Sequence, residues 1–453
     1  MPQRIWISQA NPWQSAQHVS FETKGNLSAF NVPNGVILPP KKANEHLFLG
    51  GVCDENFVFQ AGLIRAQNTQ NLDWCGIVGA YRVFKIQKIN ESVIFGGVLM
   101  GHFGHFLIES LTRLWYLIEN PNDLRKIVFL LFDPWGWEKK FIEECFELLN
   151  IPSHRILIIT DALQFENVFI PEESAHLWES FNEKYNLIYE KLIENAKLKY
   201  PHLKTFDKIY LTHSNWKKAA SLANENVFED FFKSLNFKIL SPETFNFAEQ
   251  IVYLNSAKEV VTTMGSVAHL GLFCQKETFF VVLTRERNVL FVPQLIIHQA
   301  RKLNWFIIDT AQNFLYSAPF CTTANLCFSK DFCHFAQHYW GENLNLEFFK
   351  KQTRFDHYIQ NWFLFYKNPQ NFQSIRHLSA FDFLNKMAEE LEGKSLNQND
   401  YLAPFWIRFY RFLRKPIRRC FSKYVPHVWK IKIYQKAEQS PKWAKILGIP
   451  FKF

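Results

Sequence analysis

Three ionisable side chains, His102, His105 and Glu109, stand inside the apolar stretch GGVLMGHFGHFLIESLTRLWYL that runs from Gly96 to Leu117. His102 and His105 are three apart and His105 and Glu109 four apart, so a helix would carry all three on one face. An imidazole paired with a carboxylate can take a proton from a nucleophile, and either partner can serve as the base. His105 comes first as base, Glu109 orients or replaces it, and His102 is third. The plain alternative is a hydrogen-bonded core pair of histidines with Glu109 held by Arg113 at i+4. His105 and Glu109 could also share a metal ion, but no Cys or Asp stands nearby to complete a site, so a metal is not favoured.

Two further segments carry polar groups at strand ends. In VVTTMGSVAHLGLF an apolar strand meets Gly265–Ser266 and a helix begins. The N–H groups at such a helix start, the Ser266 hydroxyl and His269 would suit a diphosphate. In KIYLTHSNWKKAASLANENVFEDFF a strand end leads to Lys217 and Lys218, then to a helix opened by Asn224–Glu225. The lysines would meet phosphate charge, and Glu225 would accept from ribose hydroxyls. Cys327, Cys333, His334 and His338 lie close in sequence but without a CxxC pair, so zinc is not favoured.

These groups need a scaffold that brings strand ends together. From Val93 onward short apolar runs alternate with helical patterns: SVIFGGVL, KIVFLLF and RILIIT read as strands. HLWESFNEKYNLIYEKLIENAKL reads as one long amphipathic helix. A second series follows, with KIYLTH, KILSPE, EVVTTMGS, TFFVVLT and WFIID as strands. Such rhythm predicts α/β architecture, with parallel sheets covered by helices. Two doubly wound, Rossmann-like units would face a cleft, with ligands beyond the carboxyl ends of the strands. The expected organisation is a mixed segment over 1–92 that joins the first unit, a first unit over 93–204, a second over 205–320, and a helical, aromatic extension over 321–453.

The 453 residues carry a net charge of +9, but residues 401–453 hold thirteen Lys or Arg against one acid, so the preceding 400 are slightly acidic. That local footprint argues against nucleic acid. In APFWIRFYRFLRKPIRRC, Trp406, Phe409, Tyr410, Leu413 and Ile417 share one helical face opposite Arg408, Arg411, Lys415 and Arg419, a pattern suited to an anionic membrane surface. Eight scattered cysteines, no signal-like start and no apolar run of membrane-spanning length point to the cytoplasm, with the tail on the inner face of the cytoplasmic membrane.

In combination the segments resemble the family 61 glycosyltransferases, in particular their bacterial capsule and lipopolysaccharide members. The resemblance lies in His105, Glu109, Arg113 and Leu114, then Asn224–Glu225, then Ala248–Glu249–Gln250, then Gly265, Ser266 and His269. It implies a GT-B fold whose second domain holds a nucleotide-sugar donor, with inverting transfer, a glycan acceptor and neither metal nor cofactor. A lipid-linked acceptor would suit a membrane-attached tail. Many members place arginines after the strand that here ends in His213, with Lys217 and Lys218 beyond it. Two other readings remain: a nucleotide- or glycan-binding subunit without catalysis, and a metal-dependent hydrolase built on His102, His105 and Glu109.

Overall fold

The structure is a computed structural model that describes residues 20–42, 48–62, 85–132, 139–214, 222–285, 291–311 and 324–344. Lys217, Lys218 and the basic segment 401–453 lie outside the described residues. The first half contains β1 (Glu22–Thr23), β2 (Ala29–Pro33), β3 (Val36–Lys42), β4 (Phe48–Cys53), β5 (Phe59–Ala61) and β6 (Gln87–Met100). It continues through β7 (Ile127–Phe132), β8 (Ile156–Ile159), β9 (Leu163–Pro171), β10 (Ala175–His176) and β11 (Ser180–Asn182). Its main sheet runs β5-β4-β3-β9-β6-β7-β8, with β2 also on β9. Only β9, β6, β7 and β8 are parallel to one another, and the N-terminal strands add antiparallel pairs. This sheet is therefore mixed, and the expectation of a doubly wound first unit does not hold.

β7 shows how the sheet is buried on both faces. Ile127 and Phe129 enter one apolar cluster, while Val128, Leu130 and Phe132 enter another, as the two-residue period of a strand requires. β6 is bulged at Gly96–Gly97. A Cβ at Gly96 would strike the Phe129 ring at 2.5 Å, and Gly97 takes φ +102 with Arg113 packed over it. Both glycines thus serve the strand and its close packing, and the turn proper comes later, at Gly101.

After β6 the chain forms α1 (Phe103–His105), opens into a π turn over Phe106–Ser110, and resumes as α2 (Trp115–Glu119). α3 (Lys139–Leu148) follows β7, and α4 (Tyr185–Lys199) closes the half. The long helix expected from His176 starts only at Tyr185. Ahead of it, Trp178 takes a left-handed φ of 74° and β10 and β11 pair antiparallel around it.

The second half holds β12 (Lys208–Leu211), β13 (Leu222–Ala223), β14 (Lys238–Leu240), β15 (Glu259–Thr263), β16 (Phe279–Leu283), β17 (Asn304–Ile308) and β18 (Ala324–Asn325). Its main sheet runs β14-β12-β15-β16-β17, all parallel. Counted within that sheet, this is the doubly wound order 2-1-3-4-5, whose switch point lies between β12 and β15. α5 (Glu225–Ser234) and α8 (Lys330–Trp340) cover one face through Phe228, Phe232, Phe332 and Phe335, with Phe328 just ahead of α8. α8 thus packs on this sheet, and the second unit runs on past the expected end at 320. α6 (Phe247–Ser256), a 3-10 helix (Ser266–Phe273) and α7 (Val292–Ala300) cover the other face.

That second face is also where the halves meet. One contiguous apolar cluster includes Leu107 and Trp115, Ile142 and Phe146 of α3, Tyr189 and Leu192 of α4, Ile251 of α6, and Leu270 and Phe273. The two sheets therefore share a helical layer instead of facing each other across open solvent. Polar clamps fix the register: Glu144 of α3 accepts from the Phe247 and Ala248 amides at 2.9 and 3.3 Å, where the helix dipole favours a carboxylate. Asn246 and Glu249 close a capping box on the same helix start.

Candidate active site

At the rim of this shared layer the start of α1 touches the turn after β15. Gly104 is the point of contact: a Cβ there would come 2.7 Å from Ser266 Oγ and 3.1 Å from His269 Cδ2. A larger residue would have to displace the Ser266 and His269 side chains. The structure thereby brings together His102, His105 and Glu109 from the first half with Gly265, Ser266 and His269 from the second.

His105 Nδ1 pairs with the Glu109 carboxylate. Glu109 is buried while His105 is partly open, so the carboxylate orients the ring from below. The π turn carries Glu109, with His105 directly before it at the end of α1, and wide turns of that kind are frequent at functional sites. Its backbone is anchored on both sides: Ser110 Oγ accepts from the Met100 amide at 3.0 Å, and Tyr189 donates to the Leu107 carbonyl at 2.6 Å. The expected face of three ionisable groups forms, although the helix is not a continuous α-helix. His102 lies beside His105, ring centroids 5.1 Å apart. Burial, and next the proximity of His105, hold it neutral by pulling its pKa down to about 4.

Arg113 does not pair with Glu109. It contacts Glu173 at 3.2 Å and donates to the Gly62 carbonyl at 3.0 Å and to the Pro171 carbonyl. Burial lowers Arg113 and raises Glu173, each against the pull of the other. The pair forms part of the wall of a cavity of about 370 Å³ that Phe30, Gln60, His176 and Asn182 also line.

Across the contact, Gly265 adopts φ 134, ψ −168, a region open essentially to glycine alone. Ala268 N closes the first 3-10 turn on Gly265 O at 2.9 Å, so the N–H groups of Ser266 and Val267 precede the ladder. Arg285, two residues after β16, donates to the Met264 carbonyl at 3.4 Å, and its guanidinium lies 3.1 Å from where a Gly265 Cβ would stand. This cation was not singled out in the sequence, where its one signal is an arginine two residues past the end of the buried strand FFVVL.

His269 is buried, bonded through Nδ1 to Gln294 Oε1 at 2.9 Å and stacked on Phe291. Burial depresses its pKa to about 4, so it lacks the positive charge expected of a phosphate clamp. At the switch point, His213 links Glu225 to β15. Its amide donates to Glu225 Oε1 at 2.9 Å, and its Nδ1 lies 2.9 Å from Thr263 Oγ1. Asn224 takes a left-handed φ of 68° ahead of α5. Both Asn224 and Glu225 are buried, and Glu225 Oε2 meets no hydrogen-bond partner among the described residues. Glu249 and Gln250, by contrast, serve α6: Glu249 caps it and Gln250 donates to the Pro242 and Phe245 carbonyls.

Among the described residues no group of three or more His, Cys, Asp or Glu could hold a metal ion. No described helix is long and apolar enough to cross a membrane. Residues 103–281 match the family model described as Glycosyltransferase 61. The match opens at α1 and ends in β16, so it encloses both sides of the contact at Gly104. No curated protein matches the chain.

Proposed function

With residues 103–281 a family 61 glycosyltransferase domain and the chain a transferase of glycosyl groups, we propose that it moves a sugar from a nucleotide-sugar donor to a glycan hydroxyl with inversion. The observation that carries this reading is the contact of the His105–Glu109 helix start with the Gly265–Ser266 turn, beside the switch point of the parallel sheet. One side offers a carboxylate-oriented imidazole and the other an anion-tolerant backbone turn with Arg285 alongside.

In this reading the two halves act as the acceptor and donor domains of a GT-B-like enzyme. His105 donates Nδ1–H to Glu109 and keeps a lone pair on Nε2. As the acceptor oxygen attacks the anomeric carbon, that nitrogen takes the hydroxyl proton. The new C–O bond forms on the face opposite the departing diphosphate, whose own C–O bond breaks. Charge growing on the diphosphate is met by the Ser266 and Val267 N–H groups and by Arg285, with Lys217 and Lys218 as further cations. Glu109 and His102 are the alternative bases. The reading uses no metal or cofactor.

We place the product in cell-surface polysaccharide, capsule or lipopolysaccharide, made on the cytoplasmic side. The basic aromatic segment beyond residue 400 would hold the enzyme to an anionic membrane that bears a lipid-linked acceptor. A thermal-shift panel of nucleotide sugars, followed by measurement of nucleoside diphosphate release with and without glycan acceptors, tests the core of this proposal. Release that depends on an acceptor is expected. Stabilisation by a donor without turnover under any acceptor would instead identify a binding subunit.

A further inference from the structure

The polar groups behind His269 determine where its hydrogen sits. Gln294, fully buried on α7, donates from Nε2 to the Ala268 carbonyl at 3.0 Å. A carbonyl only accepts, so the backbone fixes which way the amide points. Gln294 Oε1 is thereby turned to His269 Nδ1, 2.9 Å away, and it too only accepts. The hydrogen of the neutral ring must therefore reside on Nδ1. The second hydrogen of Gln294 Nε2 meets His298 Nε2 at 2.9 Å, so both amide hydrogens are used and the amide gains nothing by flipping. Burial keeps both rings neutral, His298 down to about 3. The opposite edge of His269, Cδ2 with Nε2 beside it, is turned toward Gly104. The charged and titratable groups on that side are His102, His105 and Glu109.

We propose that Gln294 is a positioning residue that locks His269 in the Nδ1–H tautomer, so that Nε2 accepts a hydrogen bond from a sugar hydroxyl at the contact between the halves instead of gripping phosphate. A bare imidazole nitrogen repels phosphate oxygens and suits a hydroxyl donor. The identity of that hydroxyl rests on the glycosyltransferase reading, whereas the tautomer does not.

Long-range 1H–15N spectra of the full chain labelled with 15N-histidine read the tautomer directly, with the His269 signals identified by their loss in His269→Asn. The wild-type ring should remain neutral and Nδ1-protonated from pH 8 to about pH 5. Gln294→Met should release the preference, and Gln294→Glu should pull the ring toward imidazolium. In the nucleoside diphosphate release assay both variants should lose tenfold or more in kcat/KM. An Nε2–H ring in the wild type overturns the proposal, even if neither variant folds. So does unchanged kcat/KM in a folded variant whose tautomer has changed. An Nδ1–H wild type that transfers no sugar would sink the function and leave the lock standing.

Discussion

At the scale of single residues, the site is built from imidazoles and buried carboxylates, Glu109 and Glu225 among them. His269 and His298 have pKa values pulled down to about 4 and about 3 by burial. A histidine depressed in the folded state contributes fully above its unfolded pKa of about 6.5, and that contribution is lost as pH falls toward the folded value. Each of the two should therefore cost on the order of 1–2 kcal/mol by pH 5. Melting curves should show the midpoint dropping between pH 7 and pH 5, before most carboxylates titrate. A flat midpoint over that range would mean that these rings are solvated. The Arg113–Glu173 pair belongs to the same scale. Leaving either charge alone in so buried a place costs about 3–5 kcal/mol. Glu173→Ala should therefore destabilise the fold far more than an exposed ion-pair change such as Lys258→Ala at Asp207, as denaturant unfolding will show.

At the scale of elements, two glycines govern how the halves touch. Gly265→Ala must adopt φ near 134, which costs about 1–3 kcal/mol for a residue with a Cβ. It would also move the turn that the proposal assigns to diphosphate. Donor affinity measured by calorimetry should fall with it, and wild-type affinity in Gly265→Ala would remove the turn from the donor site. Much at this scale was legible in the sequence. KIVFLLF, EVVTTMGS and TFFVVLT declared themselves as buried parallel strands because both faces are apolar, and the His105–Glu109 spacing announced a shared face. Residues 176–182 were misread as helix because their polar–apolar spacing resembles the 3.6 period, while the left-handed Trp178 that breaks it is not a residue type that signals a turn. The π turn left no mark either, since it arises from packing between Ser110, Tyr189 and the end of β6.

At the scale of the whole molecule, the sequence suggested two separate units across a cleft, and the structure shows two sheets sharing one helical layer. Which face a helix turns to which sheet depends on partners more than a hundred residues away, as with Glu144 capping α6, and no local pattern encodes that. The same holds for Arg285: an arginine in the charged stretch after a strand reads as surface until the fold sets it against Gly265. The reach of the second unit to Trp340 was missed because the strand rhythm stops before α8, although Phe328, Phe332 and Phe335 show helical spacing. The consequence is functional. The helix start proposed to carry the base and the turn proposed to take the diphosphate are held in contact by a common core, so on this proposal transfer should depend on both and donor binding on only one. The most direct test is acceptor-dependent nucleoside diphosphate release by the full-length wild type and His105→Ala, with donor affinity measured on the same samples. The account predicts a loss of turnover of about 10²–10⁴-fold in His105→Ala with donor affinity within twofold of wild type. Wild-type turnover in that variant would contradict it.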